Sequence, residues 1–120
     1  MVAGDKRANQ NAFLTICQII FPREHNRVAR ILCELNPKWT DEQIYQVARK
    51  IVIAEYQNIV YNEWLEYVIG EEYMEKYNLR SPKNGSYSND YNYNVHPNTM
   101  KVFNSAAFRV FHSLIPNYVG

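Results

Sequence analysis

The sequence predicts an all-α protein with three main helices and one long polar loop. Three observations carry that prediction. Apolar side chains recur every three or four residues over two long stretches, about 13–35 and 40–69. The segment at about 78–98 is rich in Asn, Ser, Tyr and Gly and has no periodicity. No stretch shows the two-residue alternation of a half-buried strand.

The first helix rests on Phe13, Cys17, Ile20, Val28, Ile31, Leu32 and Leu35 at helical spacing. Asn36-Pro37 ends it, because the residue before a proline avoids the α region. Pro22 lies inside it and is expected to kink the helix near Cys17 and Gln18. Thr40-Asp41-Glu42-Gln43 has the form of a capping box and opens the second helix with two carboxylates in its first turn. Ile44, Val47, Ala48, Ile51, Val52, Ile59, Val60, Leu65 and Val68 carry that helix to Gly70. It is apolar over so much of its circumference that it belongs inside a protein, which is the first physical sign of a partial domain. Glu71 to Tyr77 suits a short helix. Asn98-Thr99 is expected to cap the third main helix, at about 99–114, and Ile115-Pro116 to end it.

Composition excludes several classes. The 120 residues suit one small domain or a piece of a larger one, and 47% hydrophobic residues suffice for a core. A formal net charge of +1, with scattered basic residues, gives no electrostatic case for nucleic acid. No apolar run is long enough to span a bilayer. Met1-Val2-Ala3-Gly4-Asp5 lacks the basic and apolar regions of a signal peptide. Cys17 and Cys33 read as buried thiols, about 24 Å apart on a straight helix and too distant to pair. Asn84-Gly85-Ser86 permits N-glycosylation if the chain is secreted. Tyr87, Tyr91 and Tyr93 in the loop are expected to pack on the parent fold, with a stacking surface as the alternative.

One pair of residues points to chemistry. Arg109 and His112 lie three residues apart in an otherwise apolar segment and would share a helix face. A buried cation asks for an anionic partner. A ligand offering iron to His112 and a carboxylate to Arg109 would answer both, and haem is such a ligand. A satisfied core histidine beside an arginine that snorkels, or pairs with one of the chain's twelve carboxylates, explains the same spacing.

Motifs across the chain then bear on that choice. Gly4-Asp5-Lys6-Arg7-Ala8-Asn9 is followed by Arg23-Glu24-His25-Asn26-Arg27 and by Leu35-Asn36-Pro37-Lys38-Trp39. Ala48-Arg49-Lys50-Ile51-Val52, Tyr61-Asn62-Glu63-Trp64-Leu65 and Ala106-Ala107-Phe108-Arg109, ending at His112, complete the set. In order and spacing these resemble the animal haem peroxidase (peroxidase–cyclooxygenase) superfamily, most nearly its invertebrate branch. The resemblance covers essentially residues 1–120, as an internal fragment of the peroxidase domain.

It implies haem b as cofactor and a parent domain that reduces hydrogen peroxide while oxidising a halide, a phenol or a tyrosine. Arg7 falls on the distal arginine, a permanent cation that stabilises charge developing on peroxide. His112 falls on the proximal ligand of the haem iron, and Arg109 on the residue that pairs with a haem propionate. Glu24, His25 and Asn26 are expected to satisfy one another and their arginine neighbours in a buried polar network, with a catalytic His25 as the alternative. The parent protein is expected to be extracellular, and the rest of its domain is the implied partner.

The departures are specific. Gln10 stands where the family often carries a glutamate ester-linked to haem, and an amide does not form that ester by the same route. Phe111 replaces a glycine beside the proximal histidine and is expected to crowd or tilt it. The family's distal histidine and its calcium loop are expected to precede this segment, and the asparagine partner of the proximal histidine to follow Gly120. The isolated chain is therefore expected to be incomplete and inactive. The alternative is a truncated, catalytically inactive peroxidase-like protein with a binding role or none.

Overall fold

The computed structural model describes residues 4–82 and 85–115. Among them are helices and turns and no strand, so the fold class is all-α. They form two compact units, divided between Lys83 and Asn84.

The first unit is a helical hairpin with a continuation. α1 spans Ala12–Leu35 and α2 spans Asp41–Ile59. Asn11 caps α1, its side chain accepting from the Phe13 N–H at 2.8 Å. α1 is a single helix through Pro22. Proline leaves the Gln18 carbonyl without its intrahelical donor, yet the helix does not end there. At its C-terminus the Asn36 backbone N–H and side-chain amide both donate to the Leu32 carbonyl, at 2.9 and 3.1 Å. The chain then turns through Pro37 and Lys38 into α2.

The capping box at Thr40 is formed in both directions. Thr40 Oγ1 accepts from the Gln43 N–H at 3.3 Å, and Gln43 Oε1 accepts from the Thr40 N–H at 2.8 Å. Thr40→Ala removes one of these and is expected to cost about 1 kcal/mol of helix stability. A peptide spanning 37–60 tests this by circular dichroism: a helix of that length is marginal in water, so loss of the cap should visibly lower its helicity.

α1 and α2 run antiparallel, with Phe21 edge-on to Tyr56 (centroids 5.2 Å apart) and the His25 ring against Tyr45 at the same separation. Val28, Ile44 and Ala48 are buried, Ala48 completely. Both cysteines are exposed, which corrects the expectation of buried thiols. The physical reason is that the apolar stripe of α1 is wider than its one partner can cover, so Phe13, Ile16, Ile20 and Ile31 are also left outside.

A π-helical turn, Val60–Trp64, joins α2 to α3, which spans Leu65–Lys76. Gly70 interrupts α3 with φ 79° and ψ 161°, a conformation that glycine adopts without the Cβ penalty. α3 ends in a Schellman motif. Asn78 takes a left-handed φ of 51°, its N–H donates to the Glu75 carbonyl, and the Leu79 N–H reaches the Met74 carbonyl. Met74 is buried (1% exposed). Arg80 then bridges Glu66 at 3.0 Å and Glu71 at 3.3 Å, tying the following segment back to α3.

The second unit holds the polar loop and a short helical region. Tyr87, Tyr91 and Tyr93 are almost fully exposed rather than packed on anything within it. α4 spans only Lys101–Ser105, with Met100 at the N-cap and no side-chain cap. A 3₁₀-helix follows at Ala107–Leu114. The single helix expected at about 99–114 is thus two pieces, broken at Ala106 (φ −129°, ψ −66°). Neither Asn98 nor Thr99 serves as the cap. Ser105 Oγ bonds back to the Lys101 carbonyl at 2.7 Å, a bond that competes with helical geometry. Val102, Phe103, Phe108, Val110 and Phe111 are weak helix formers as well.

Asn84 of the sequon and Pro116 of the expected helix stop lie outside the described residues.

Candidate functional site

Arg7 lies in the turn that leads into α1, and the sequence around it fixes its backbone. The Ala8 N–H donates to the Asp5 carbonyl at 3.2 Å, and the Gln10 N–H to the Arg7 carbonyl at 2.9 Å. Ala8 is buried (4% exposed), and Thr15 from the first turn of α1 donates to the Ala8 carbonyl at 2.9 Å. The side chain of Arg7 stays exposed and is gripped by Asp5. Nε donates to Oδ1 at 2.9 Å and Nη2 to Oδ2 at 2.8 Å, while the Arg7 backbone N–H reaches Oδ1 at 2.7 Å.

These bonds move both titrations in the direction of charge. The Arg7 side-chain bonds, and then its backbone N–H, hold the Asp5 carboxyl well below the usual carboxylate range, and Asp5 in turn raises Arg7. The depressed acid sets the sign of the linkage. Pairing favours the folded turn above the ordinary carboxylate range and is lost only as pH falls through the lowered value. Asp5 is a residue that the motif comparison passed over. Its signal was local: an aspartate two residues before an arginine can accept that residue's N–H in an Asx turn.

Arg109 and His112 lie in the second unit, on the 3₁₀-helix. Side chains three residues apart eclipse one another in this geometry, so the two form one row more strictly than on an α-helix. Both are exposed, and neither side chain has a hydrogen bond or ion pair to the described residues. The Arg109 N–H donates to the Ala106 carbonyl at 2.9 Å, and the His112 carbonyl accepts from Ile115 at 3.4 Å.

Phe111 belongs to a different row. Its ring meets Phe108 edge-on at 6.0 Å, and Phe108 in turn packs on Phe103 at 5.6 Å. Within this unit the bulk at position 111 is therefore drawn into an aromatic cluster, about 120° around the 3₁₀ axis from the Arg109–His112 row.

The Arg23–Arg27 motif corrects a second expectation. Instead of a buried network, Glu24 forms a forked pair with Arg27, with bonds of 2.8 and 2.6 Å at the surface of α1. That pairing lowers the Glu24 carboxyl and raises Arg27. Asn26 is exposed, and it approaches His25 Nδ1 only at 3.5 Å. His25 Nε2 is buried with no hydrogen-bond partner among the described residues. Arg23, Arg27 and Arg30 are exposed and border an open groove shared with Glu55 and Asn58 of α2.

No group of three or more His, Cys, Asp or Glu among the described residues is placed to hold a metal ion. Haem asks for less than such a cluster: one imidazole for the iron and a cation for a propionate. His112 and Arg109, on one row and without side-chain partners among the described residues, are chemically that donor set. No helix is long and apolar enough to cross a membrane among the described residues.

Comparison with known proteins places the chain in a family. The family model for animal haem peroxidases matches residues 1–120. Chorion peroxidase of Drosophila melanogaster is 49% identical over 113 residues, which is 94% of this chain and 14% of that protein. Chorion peroxidase of Aedes aegypti is 45% identical over 96% of this chain and 14% of its own length. Mouse myeloperoxidase is 42% identical over 98% of this chain and 15% of its own length. The chain thus spans about one seventh of the curated relatives it matches. With the motif order, the all-α fold and a family match from end to end, the chain belongs to the animal haem peroxidase family.

Proposed function

We propose that this chain contributes two parts of a haem peroxidase site, an iron ligand and a peroxide-binding cation. The observation that carries the proposal is the family match over all 120 residues, and the resemblance of the motifs around Arg7, Arg109 and His112 supports the choice of those residues. Haem, when bound, supplies an iron at which the O–O bond of hydrogen peroxide is cleaved and oxidising equivalents pass to a reducing substrate. The reducing substrate proposed is a halide, a phenol or a tyrosine.

His112 offers a ring nitrogen to the iron, and Arg109 pairs with a propionate through its planar donor fork. Arg7 donates hydrogen bonds to peroxide and offsets the negative charge that develops as the O–O bond breaks. Its charge is independent of pH over any working range, which lysine or histidine would not guarantee. Gln10 leaves haem without the ester that a glutamate there would form. Calcium belongs to the parent domain, outside this chain. The chorion relatives' names and the sequon support an extracellular parent protein.

Arg7→Ala tests the assignment in the haem-loaded, full-length parent protein, which is the haem-loaded protein of every test below. The second-order rate with hydrogen peroxide should fall roughly 10²–10³-fold, the usual effect of removing a transition-state donor, while the haem spectrum is retained. A variant that consumes peroxide at the unaltered rate would remove Arg7 from the mechanism.

A further inference from the structure

Three bonds join Asp5 to Arg7, and they have different jobs. The bond from the Arg7 backbone N–H to Oδ1 (2.7 Å) spans two residues and closes an Asx-type turn, which fixes where the carboxylate stands. The forked pair, Nε to Oδ1 and Nη2 to Oδ2 at 2.9 and 2.8 Å, then fixes the plane of the guanidinium. What remains is Nη1, whose N–H groups have no hydrogen bond to the described residues. The side chains are 68% and 46% exposed for Arg7 and Asp5, and ion pairs in such positions add little stability. The consequence of the clamp is therefore orientation. An unclamped arginine samples many rotamers, and each one lost on reaching a transition state slows the reaction.

We propose that Asp5 is a positioning residue for Arg7, holding its Nε–Nη2 edge so that Nη1 is presented to a peroxide oxygen. This rests on the reading of Arg7 given above. Asp5→Asn separates the two jobs. The amide oxygen still accepts the backbone N–H and keeps the turn, but the amide nitrogen cannot accept from Nη2.

The experiment uses the haem-loaded protein with Asp5→Asn, Arg7→Ala and the double variant. Three readouts are followed: the second-order rate with hydrogen peroxide, the affinity for fluoride read from the haem spectrum, and the NMR resonances of the Arg7 Nη2 hydrogens. Asp5→Asn should slow the peroxide reaction at least tenfold, as loss of an orienting partner commonly does, and weaken fluoride similarly. It should also release the Nη2 hydrogens to fast exchange with solvent, because their acceptor Oδ2 is the oxygen lost, and have no further effect once Arg7 is alanine. An unchanged or faster reaction in Asp5→Asn overturns the proposal, and so does a loss that persists in the Arg7→Ala background. If Arg7→Ala itself changes neither peroxide rate nor fluoride affinity, the role of Arg7 fails, and that failure is distinct. Asp5→Ser also keeps the turn bond without the fork and replaces the asparagine variant if that one does not load haem.

Discussion

Replacing His112 by alanine is expected to abolish the Soret band of imidazole-ligated haem in the haem-loaded protein. The chain has three histidines, and their settings differ in ways that isolate this effect. His25 is packed on Tyr45 in the α1–α2 hairpin, and His96 accepts from the Asn98 N–H at 3.4 Å in the polar loop. Among the described residues, His112 shares a row with Arg109, whose side chain has no hydrogen bond or ion pair there. His25→Ala and His96→Ala should therefore leave the spectrum unchanged. Free imidazole added to His112→Ala should restore part of the band, because the cavity left by the side chain has the shape of the missing ligand. Arg109→Ala should weaken haem retention without removing the ligand field. If His112→Ala keeps the band, the iron ligand lies elsewhere and the proximal assignment is wrong.

The second large effect concerns folding. The 120-residue chain on its own is expected to be helical by far-ultraviolet circular dichroism, to bind the dye ANS strongly, and to melt without a sharp transition. Its buried apolar side chains among the described residues are Ala8, Val28, Ile44, Ala48 and Met74, of which two are alanines. Against that, Phe13 (61%), Leu35 (72%), Val102 (71%) and Leu114 (74%) stand exposed, with many others. Apolar surface on that scale exceeds what a monomer ordinarily leaves in water. The helices themselves are held by local bonds and caps, so secondary structure should outlast tertiary packing. A soluble monomer with a cooperative melt would refute this.

How much could be read from residues alone varied with how local the cause was. α1 and the opening of α2 follow from periodicity and from a capping box whose bonds lie within four residues. Gly70 and Asn36-Pro37 were legible as punctuation for the same reason. Burial was not legible at Cys17 and Cys33, because it depends on how many neighbours a helix has, and apolar spacing only says which side would like one. The region at 101–114 failed differently. Asn98-Thr99 has the composition of a cap, but aromatic and β-branched residues downstream give the helix little reason to start there. At the candidate site the motif order pointed to Arg7, Arg109 and His112, whereas the grip of Asp5 on Arg7 needed coordinates. The Arg23–Arg27 motif was misjudged because alternating charges can satisfy each other at a surface as well as in a core.

The π-helical turn at Val60–Trp64 has one further consequence. Such a turn holds one residue more than an α-helical turn, so the side chains at 65–69, ahead of the break at Gly70, are rotated by about 100° from where an unbroken helix would point them. The apolar positions of α2 and those of α3 therefore do not form one seam. Ile44 and Ala48 are buried on α2 before this turn, and Met74 is buried beyond a second break, at Gly70. Removing one residue from the turn would bring residues 65–69 into phase with α2 and leave Gly70 as the one change of direction before Met74. The extra residue works as an angular offset, allowing two non-parallel surfaces to be served by one continuous stretch of chain.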